Sequence, residues 1–293
     1  MLLNRRERLL ALLDALGGRV SNLDFQKLLF LYCQQTAAAP YEFVPYKFGA
    51  FSFTSYADRR NLIDQGFLVD EEHFWAVTDT GRRAIGHAVN PDIAAFAQTH
   101  RTQRGDALVA DSYRRFPYYA TRSEIAAKVL AGDALALDQI EAARPAPGSG
   151  LSTLGYEGLT LEGYLNRLLR AGVTLLCDVR RNPLSRKYGF SKRTLTKGCE
   201  GVGIRYEHLP ELGIPSEERQ NLDTQADFDM LFDRYERDVL PKQQSAIATI
   251  QGWIVSGESV ALTCYEHVPV QCHRHCVAEA VERAMPAIAA QHL

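Results

Sequence analysis

Apolar residues recur at helical spacing near the start of the chain. Leu9, Leu10, Leu12, Leu13 and Leu16 share one face up to Gly17 and Gly18, which predicts an amphipathic first helix. Ser21 is placed to cap a second helix, whose apolar set is Phe25, Leu28, Leu29, Leu31 and Tyr32. After FVPYKFGAFSF a third helical stretch runs from Tyr56 to Gln65 and stops at Gly66. FLVDEEHFWAV then reads as a two-stranded wing turning at Asp70–His73, with a further helix behind it. Three helices and a β-wing outline an α+β, winged-helix-like domain over residues 1–88. Such modules bind DNA, dock proteins or dimerise, so a homodimer through this domain is one expectation. The candidate reading helix carries Arg59 and Arg60 beside Asp58 and Asp64, a mixed charge that does not single out DNA.

Residues 89–150 read as a helical connector and linker. DSYRRFPYYATRSEIAAKVL interleaves Tyr113, Phe116, Tyr118 and Tyr119 with Arg114, Arg115 and Arg122. That mixture suits a nucleic-acid strand or, more simply, a packing helix with snorkelling arginines. EAARPAPGSG (141–150) has the composition of a linker.

The rhythm then changes. LSTLGY reads as a strand, TLEGYLNRLLRAG as a helix ending at Gly172, and VTLLCDVR as a strand apolar enough to be covered on both faces. SKRTLTKGCEGVG is a short helix and IRYEHLP a strand. Residues 226–256 form a long helical stretch ended by Gly257, SVALTCYE is another strand, and a final helix is expected from near Cys272 to about Ala284. Alternation of this kind predicts a mostly parallel, three-layer α/β domain over residues 151–293. Neither G-x-G-x-x-G nor G-x-x-x-x-G-K-[ST] occurs, so the dinucleotide fingerprint and the P-loop are both ruled out.

Composition adds only bounds. The chain is 46% hydrophobic and 23% charged with net charge −2, so any nucleic-acid signal must be local. No apolar run approaches the roughly 20 residues that span a bilayer, and no membrane partner is expected. The N-terminus lacks a signal peptide's apolar core, and six scattered cysteines give no disulfide framework. A cytoplasmic location is the expectation.

In an open parallel sheet, ligands bind beyond the carboxyl ends of the strands. That rule selects Gly155, Tyr156, Glu157 and Gly158, then Asp178, Arg180 and Arg181, then His208 and Glu211, then Cys264, Glu266 and His267. It predicts one shared rim, bringing positions 157, 178, 208, 266 and 274 to a common anionic ligand. RRNPLSRKYGFSKRTLTK (180–197) holds seven Lys or Arg and no acid in 18 residues, where 33 in 293 would put about two. Such a loop suits phosphate, or is solvated and balanced by acids elsewhere.

SVALTCYEHVPVQCHRHCVAEAV (259–281) admits several chemistries. A helix opening near Cys272 would offer an anion cradle completed by Arg274. The same field would lower the Cys272 thiol pKa and make it a nucleophile. A phosphatase-type loop from Cys264 fails on spacing, because Val270 stands six residues on and Arg274 ten. Cys264, His267, Cys272, His273, His275 and Cys276 lie within 13 residues, which raises zinc. No C-x-x-C pair occurs and Cys276 is placed like a core residue, so no metal ligand is assigned and a zinc-stabilised module stays an alternative. Asp178, Glu157 and Glu266 form a carboxylate set for acid–base or ribose work, or for salt bridges to nearby arginines.

Together STLGYEG, DVRRNPLSRKYGFSKRTL, GIRYEHLPELG and LTCYEHVPVQCHRHCVAEAV are similar to the domain of unknown function 488 family, from 151 to about 293. The resemblance implies that Gly155, Asp178, Arg180, Pro183, Ser185, Arg186, Tyr206, His208, Leu212, Gly213, Cys264, Glu266, Cys272, His273 and Arg274 are its marked positions. It implies a fold and a site, not a reaction. NLDFQKLLFLY…LIDQGFLV is similar to winged-helix-like domains fused to this family and to antitoxin-associated proteins, which implies regulation or defence against mobile DNA. The combined expectation is a nucleotide- or nucleic-acid-binding protein that hydrolyses or transfers at a glycosidic or phosphoester bond. Arg180, Arg181, Ser185, Arg186, Tyr206, His208, Cys264 and Arg274 would bind the ligand. Asp178, Glu266, Glu157, Cys272 and His273 would be catalytic, with no cofactor. A non-catalytic sensor coupled to the winged helix is the rival reading.

Overall fold

Leucines 9, 10, 12 and 13 are fully buried on the inner face of α1 (Asn4–Ala15), the first element of the structure. The structure is a computed structural model that describes residues 4–37, 39–85, 90–220 and 222–293. Two compact units meet at Arg144/Pro145, inside the linker composition. The boundary expected between 88 and 89 lies outside the described residues. Ile93, Phe96, Ala97 and Leu108 share one core with Leu9 and Phe25, so the stretch read as a connector is part of the first unit.

That unit continues with β1 (Arg19–Ser21), α2 (Asn22–Gln35), β2 (Val44–Tyr46), β3 (Gly49–Phe51), α3 (Phe53–Asp64), β4 (Phe74–Ala76) and α4 (Asp79–Ala84), then α5 (Pro91–His100), α6 (Gly105–Arg115), α7 (Ala126–Val129) and α8 (Ala134–Ala142). Ser21 caps α2 by accepting from the Asp24 amide. Ser52 does the same for α3 at Ser55, which starts that helix three residues before Tyr56. The two arms of the expected wing meet at a single bridge, Leu68 to Val77. β4 pairs antiparallel with β1 instead, Val20 opposite Trp75.

The charges of α3 are engaged within the unit. Asp58 points inward and accepts from Arg5, Arg6 and Tyr41. Arg59 donates to the carbonyls of Glu71 and Phe74, and Arg60 pairs with Asp64 and Asp70. The aromatic run after 112 is packing as well, with Phe116 and Tyr119 edge-on to Phe30.

The second unit runs β5 (Gly150–Gly155), α9 (Leu161–Arg170), β6 (Leu175–Asp178), α10 (Lys192–Gly201), β7 (Arg205–His208), α11 (Gln225–Asp238), α12 (Gln244–Val255), β8 (Ser259–Cys264), α13 (Arg274–Ala284) and β9 (Gln291–His292). All five strands are parallel, in the order β7-β6-β8-β5-β9. Leu151, Leu175, Cys177, Val260 and Leu262 face a core shared with α11, α12 and α13. The alternate positions face the other layer, where Tyr164 of α9 lies against Thr263. The helical stretch 226–256 is two helices, broken around Pro241, which has no N–H to donate. The last helix opens at Arg274, two residues after Cys272, which is extended and donates its N–H to Pro269. Register aligns the carboxyl ends, with Asp178 beside both His208 and Thr263 and Gly155 beside Cys264.

Lys27 of α2 is 1% exposed, and its amine donates to the Ala50 carbonyl at 2.9 Å. Burial pulls its pKa down from 10.5 to about 7. Between those values the unfolded chain holds a proton that the fold does not, so stability from this group rises as pH increases from about 7 to about 10. Lys27→Met is expected to flatten that rise and to stabilise the unit at neutral pH. Urea unfolding of both proteins at neutral and alkaline pH checks it.

Candidate functional site

β8 ends at Cys264, and the loop Tyr265–His267 crosses directly over Gly155. A Cβ on Gly155 would lie 1.8 Å from the Glu266 carbonyl oxygen, so only glycine admits the crossing. Arg274, 1% exposed, donates from its Nη atoms to the carbonyls of Glu266 and His267 and from Nε to Thr153 Oγ1. Glu157 accepts from the His267 amide at 2.9 Å. Arg274 and Glu157 therefore hold the loop. The Arg274 guanidinium, expected to grip phosphate, is buried against these oxygens. The acid–base role expected of Glu157 has no place in the cleft, which Glu157 does not line.

The other layer closes around Asp178, which is fully buried. Arg180 donates to it from Nε at 2.8 Å, from Nη2 at 2.5 Å and from its backbone N–H at 3.1 Å, and the Tyr206 hydroxyl adds a fourth bond at 2.6 Å. Burial opposes the Arg180 charge, but the Asp178 carboxylate outweighs it and raises the guanidinium pKa above its ordinary value. Burial, and then Asp178, pushes Tyr206 up. Arg180 also reaches Tyr156 Oη and the Phe190 carbonyl, each at 2.9 Å, and its own carbonyl lies 2.9 Å from His208 Nε2. Asp178, Arg180, Tyr206 and His208 thus form a structural frame. The single rim expected for 157, 178, 208, 266 and 274 is divided, since Asp178 and Arg274 bond on opposite faces of one sheet.

A cleft of about 700 Å³ opens over the strand ends. Tyr156, Arg180, Ser185, Arg186, Lys187, Arg219, Cys264, Tyr265, Glu266, Cys272 and His273 line it, with Phe228 and Phe232 of α11 as an apolar wall. Arg181 is exposed beside Pro210 and does not line it. Tyr156 stacks on Phe190 with ring centres 4.3 Å apart. Glu266 is the carboxylate lining the cleft among the described residues, 3.6 Å from Arg219 Nη1 and 3.5 Å from Cys264 Sγ. Arg219 Nε is buried with no hydrogen-bond partner among the described residues.

At the floor, Cys264, Cys272 and His273 are all buried, and their ligand atoms lie within 4.8 Å of one another. Burial first, and the neighbouring Cys264 second, push the Cys272 thiol well above its ordinary pKa. The lowered thiol expected from a helix N-terminus is thereby corrected, since Cys272 precedes the helix. Cys276 packs in the core, as its position suggested.

Sequence reasoning missed Arg219 and Tyr265 and took Lys187 only as part of the basic loop 180–197. Arg219 follows a stretch with no period to read, and only the fold brings it to Glu266.

A parallel α/β domain with its cleft at the strand carboxyl ends is the class this unit defines. Residues 160–281 match the family model described as domain of unknown function DUF488. The match covers Asp178 to Arg274, stops short of Gly155 and Glu157, and does not extend to the first unit. No curated protein matches the chain.

Asp178→Asn leaves Arg180 buried without its counter-charge and is expected to cost about 3–5 kcal/mol of stability. Tyr206→Phe removes one bond to a carboxylate and is expected to cost roughly 1.5–3 kcal/mol. Denaturant unfolding of the two variants measures both. A fully stable Asp178→Asn protein would show that the pair is not a frame.

Proposed function

We propose that the cleft binds a phosphate-bearing ligand, a nucleotide or a nucleic-acid segment, and that Glu266 supplies acid–base chemistry for hydrolysis or transfer at a glycosidic or phosphoester bond. The observation that carries this reading is the cation set of the cleft. Arg186 is exposed and has no carboxylate partner among the described residues. Lys187 reaches the Tyr156 carbonyl at 3.2 Å, and Arg219 presents a buried Nε with no partner among the described residues. Three cations facing one carboxylate leave positive charge for an anionic guest. The exposed Tyr265 ring offers a stacking surface for a base. Ser185, on the same wall, bonds the Lys187 amide and steadies the basic loop. In this reading Arg180 and Arg274 shape the cleft and do not grip phosphate.

The first unit is read as a winged-helix-like regulatory module. With Arg59 and Arg60 paired internally, protein docking suits α3 better than DNA.

Binding of labelled DNA and RNA oligonucleotides and of nucleoside triphosphates, measured against salt, tests the proposal. Arg219→Ala is expected to weaken the preferred ligand about tenfold, which corresponds to about 1.4 kcal/mol. Loss of each phosphate contact is expected to lower the salt slope by about one. Glu266→Gln is expected to abolish turnover while keeping affinity. Salt-independent binding, or full affinity in Arg219→Ala, would remove the reading. Affinity without any turnover would favour the sensor.

A further inference from the structure

Cys177, Cys199 and Cys276 are buried away from the cleft, as inert small hydrophobes usually are. Cys264 and Cys272 differ, because both line the cleft and both approach the ring of His273. We propose that Cys264, Cys272 and His273 bind a borderline-soft divalent metal ion, zinc in the first instance, with a fourth position open to the cleft. The site goes beyond the phosphate reading and does not rest on it.

Geometry is the first support. Cys264 Sγ lies 3.7 Å from His273 Nδ1. A tetrahedral zinc, with metal–sulfur near 2.3 Å and metal–nitrogen near 2.0 Å, holds sulfur and nitrogen about 3.5 Å apart. All three ligand atoms are already within 4.8 Å of one another, so a shift of under about 1 Å closes the set.

The second support is the tautomer. His273 Nε2 lies 2.9 Å from the Val179 carbonyl oxygen. A carbonyl only accepts, so Nε2 carries the proton and Nδ1 turns its lone pair to the sulfurs. A metal-bound histidine is ordinarily held this way, by an outer hydrogen-bond acceptor. The scaffold is rigid besides. Cys264 ends a central strand, Cys272 and His273 lead into α13, and the adjacent Arg274 ties that helix to Thr153 and to the Tyr265–His267 loop.

Charge is the third. Two thiolates cancel a dication, so the occupied floor carries no net charge in a buried place. Two sulfurs and an imidazole select zinc, iron(II) or cobalt(II) over magnesium or calcium. Each thiol gives its proton to solvent as the ion binds, about two per ion. Glu266 Oε2, 3.5 Å from Cys264 Sγ, stands where it can accept a proton from a water on the open position.

The test uses the full chain, purified without chelator, with no nucleotide present. Elemental analysis is expected to find about one zinc per chain. Cobalt(II) added to chelator-stripped protein is expected to give a thiolate charge-transfer band and tetrahedral visible bands, with about two protons released per ion. Cys264→Ser, Cys272→Ser and His273→Asn are each expected to weaken metal by more than the roughly ten- to hundredfold typical of losing an outer partner. Cys276→Ala is expected to keep it. A folded wild-type chain with no zinc and no cobalt band overturns the proposal, and that result needs no variant to fold. So does a charge-transfer band that survives the double serine variant, or a Cys264–Cys272 disulfide in freshly purified protein. Because no phosphate ligand is present, failure here leaves the oligonucleotide test standing, and the reverse.

Discussion

A buried guanidinium with only oxygens for company governs the site. Arg274 has no carboxylate partner among the described residues, and its protons go to two loop carbonyls and one hydroxyl. A buried charge is tolerated only when its hydrogen bonds are made, so the loop and the helix that carries Arg274 require each other. The first turn of α13 is also the positive end of its dipole, an unfavourable place for a cation. The loop carbonyls offset that cost. Gly155 is the other half of the constraint, since any side chain there would lift the loop and carry Glu266 with it.

On the far face of the sheet, a second arginine performs the same service with a different partner. Arg180 and Asp178 neutralise one another, and the Phe190 carbonyl and Tyr156 hydroxyl complete the fork. The aromatic stack of Tyr156 on Phe190 is thereby fixed as one wall of the cleft. Arg180 and Arg274 are both held by hydrogen bonds within the fold, and Arg186, Lys187 and Arg219 line the cleft beside Arg180.

Much of the architecture was legible because burial sets period. Apolar runs in VTLLCDVR and SVALTCYE could only be strands covered on both sides, and the order of strands and helices then required a parallel sheet. Which face each strand-end residue takes was not legible. Asp178 pairs with Thr263, one residue before Cys264, and that one-residue offset sends the two candidates to opposite layers. Only register between strands decides it. One signal was present, since Asp178 and Arg180 stand two apart and share a side of an extended chain. The start of α13 was legible to within two residues, the difference being a local turn in which the Cys272 amide is claimed by Pro269. The pairing of the stretch read as a wing was not legible. Its alternation was real, but the partner of β4 lies more than fifty residues earlier, at β1.

The strand order has a consequence for how the second unit is assembled. β8 lies between β6 and β5, yet Ser259 follows its neighbour Gly150 by 109 residues. Until that late segment is synthesised, β5 and β6 have no central strand to join them, and their apolar faces wait uncovered. Pairing so remote in sequence is slow, because chain closure must precede the contacts that reward it. The vectorial order of translation therefore leaves the cavity, lined by Cys264, Cys272 and His273, to take shape late in the making of the domain.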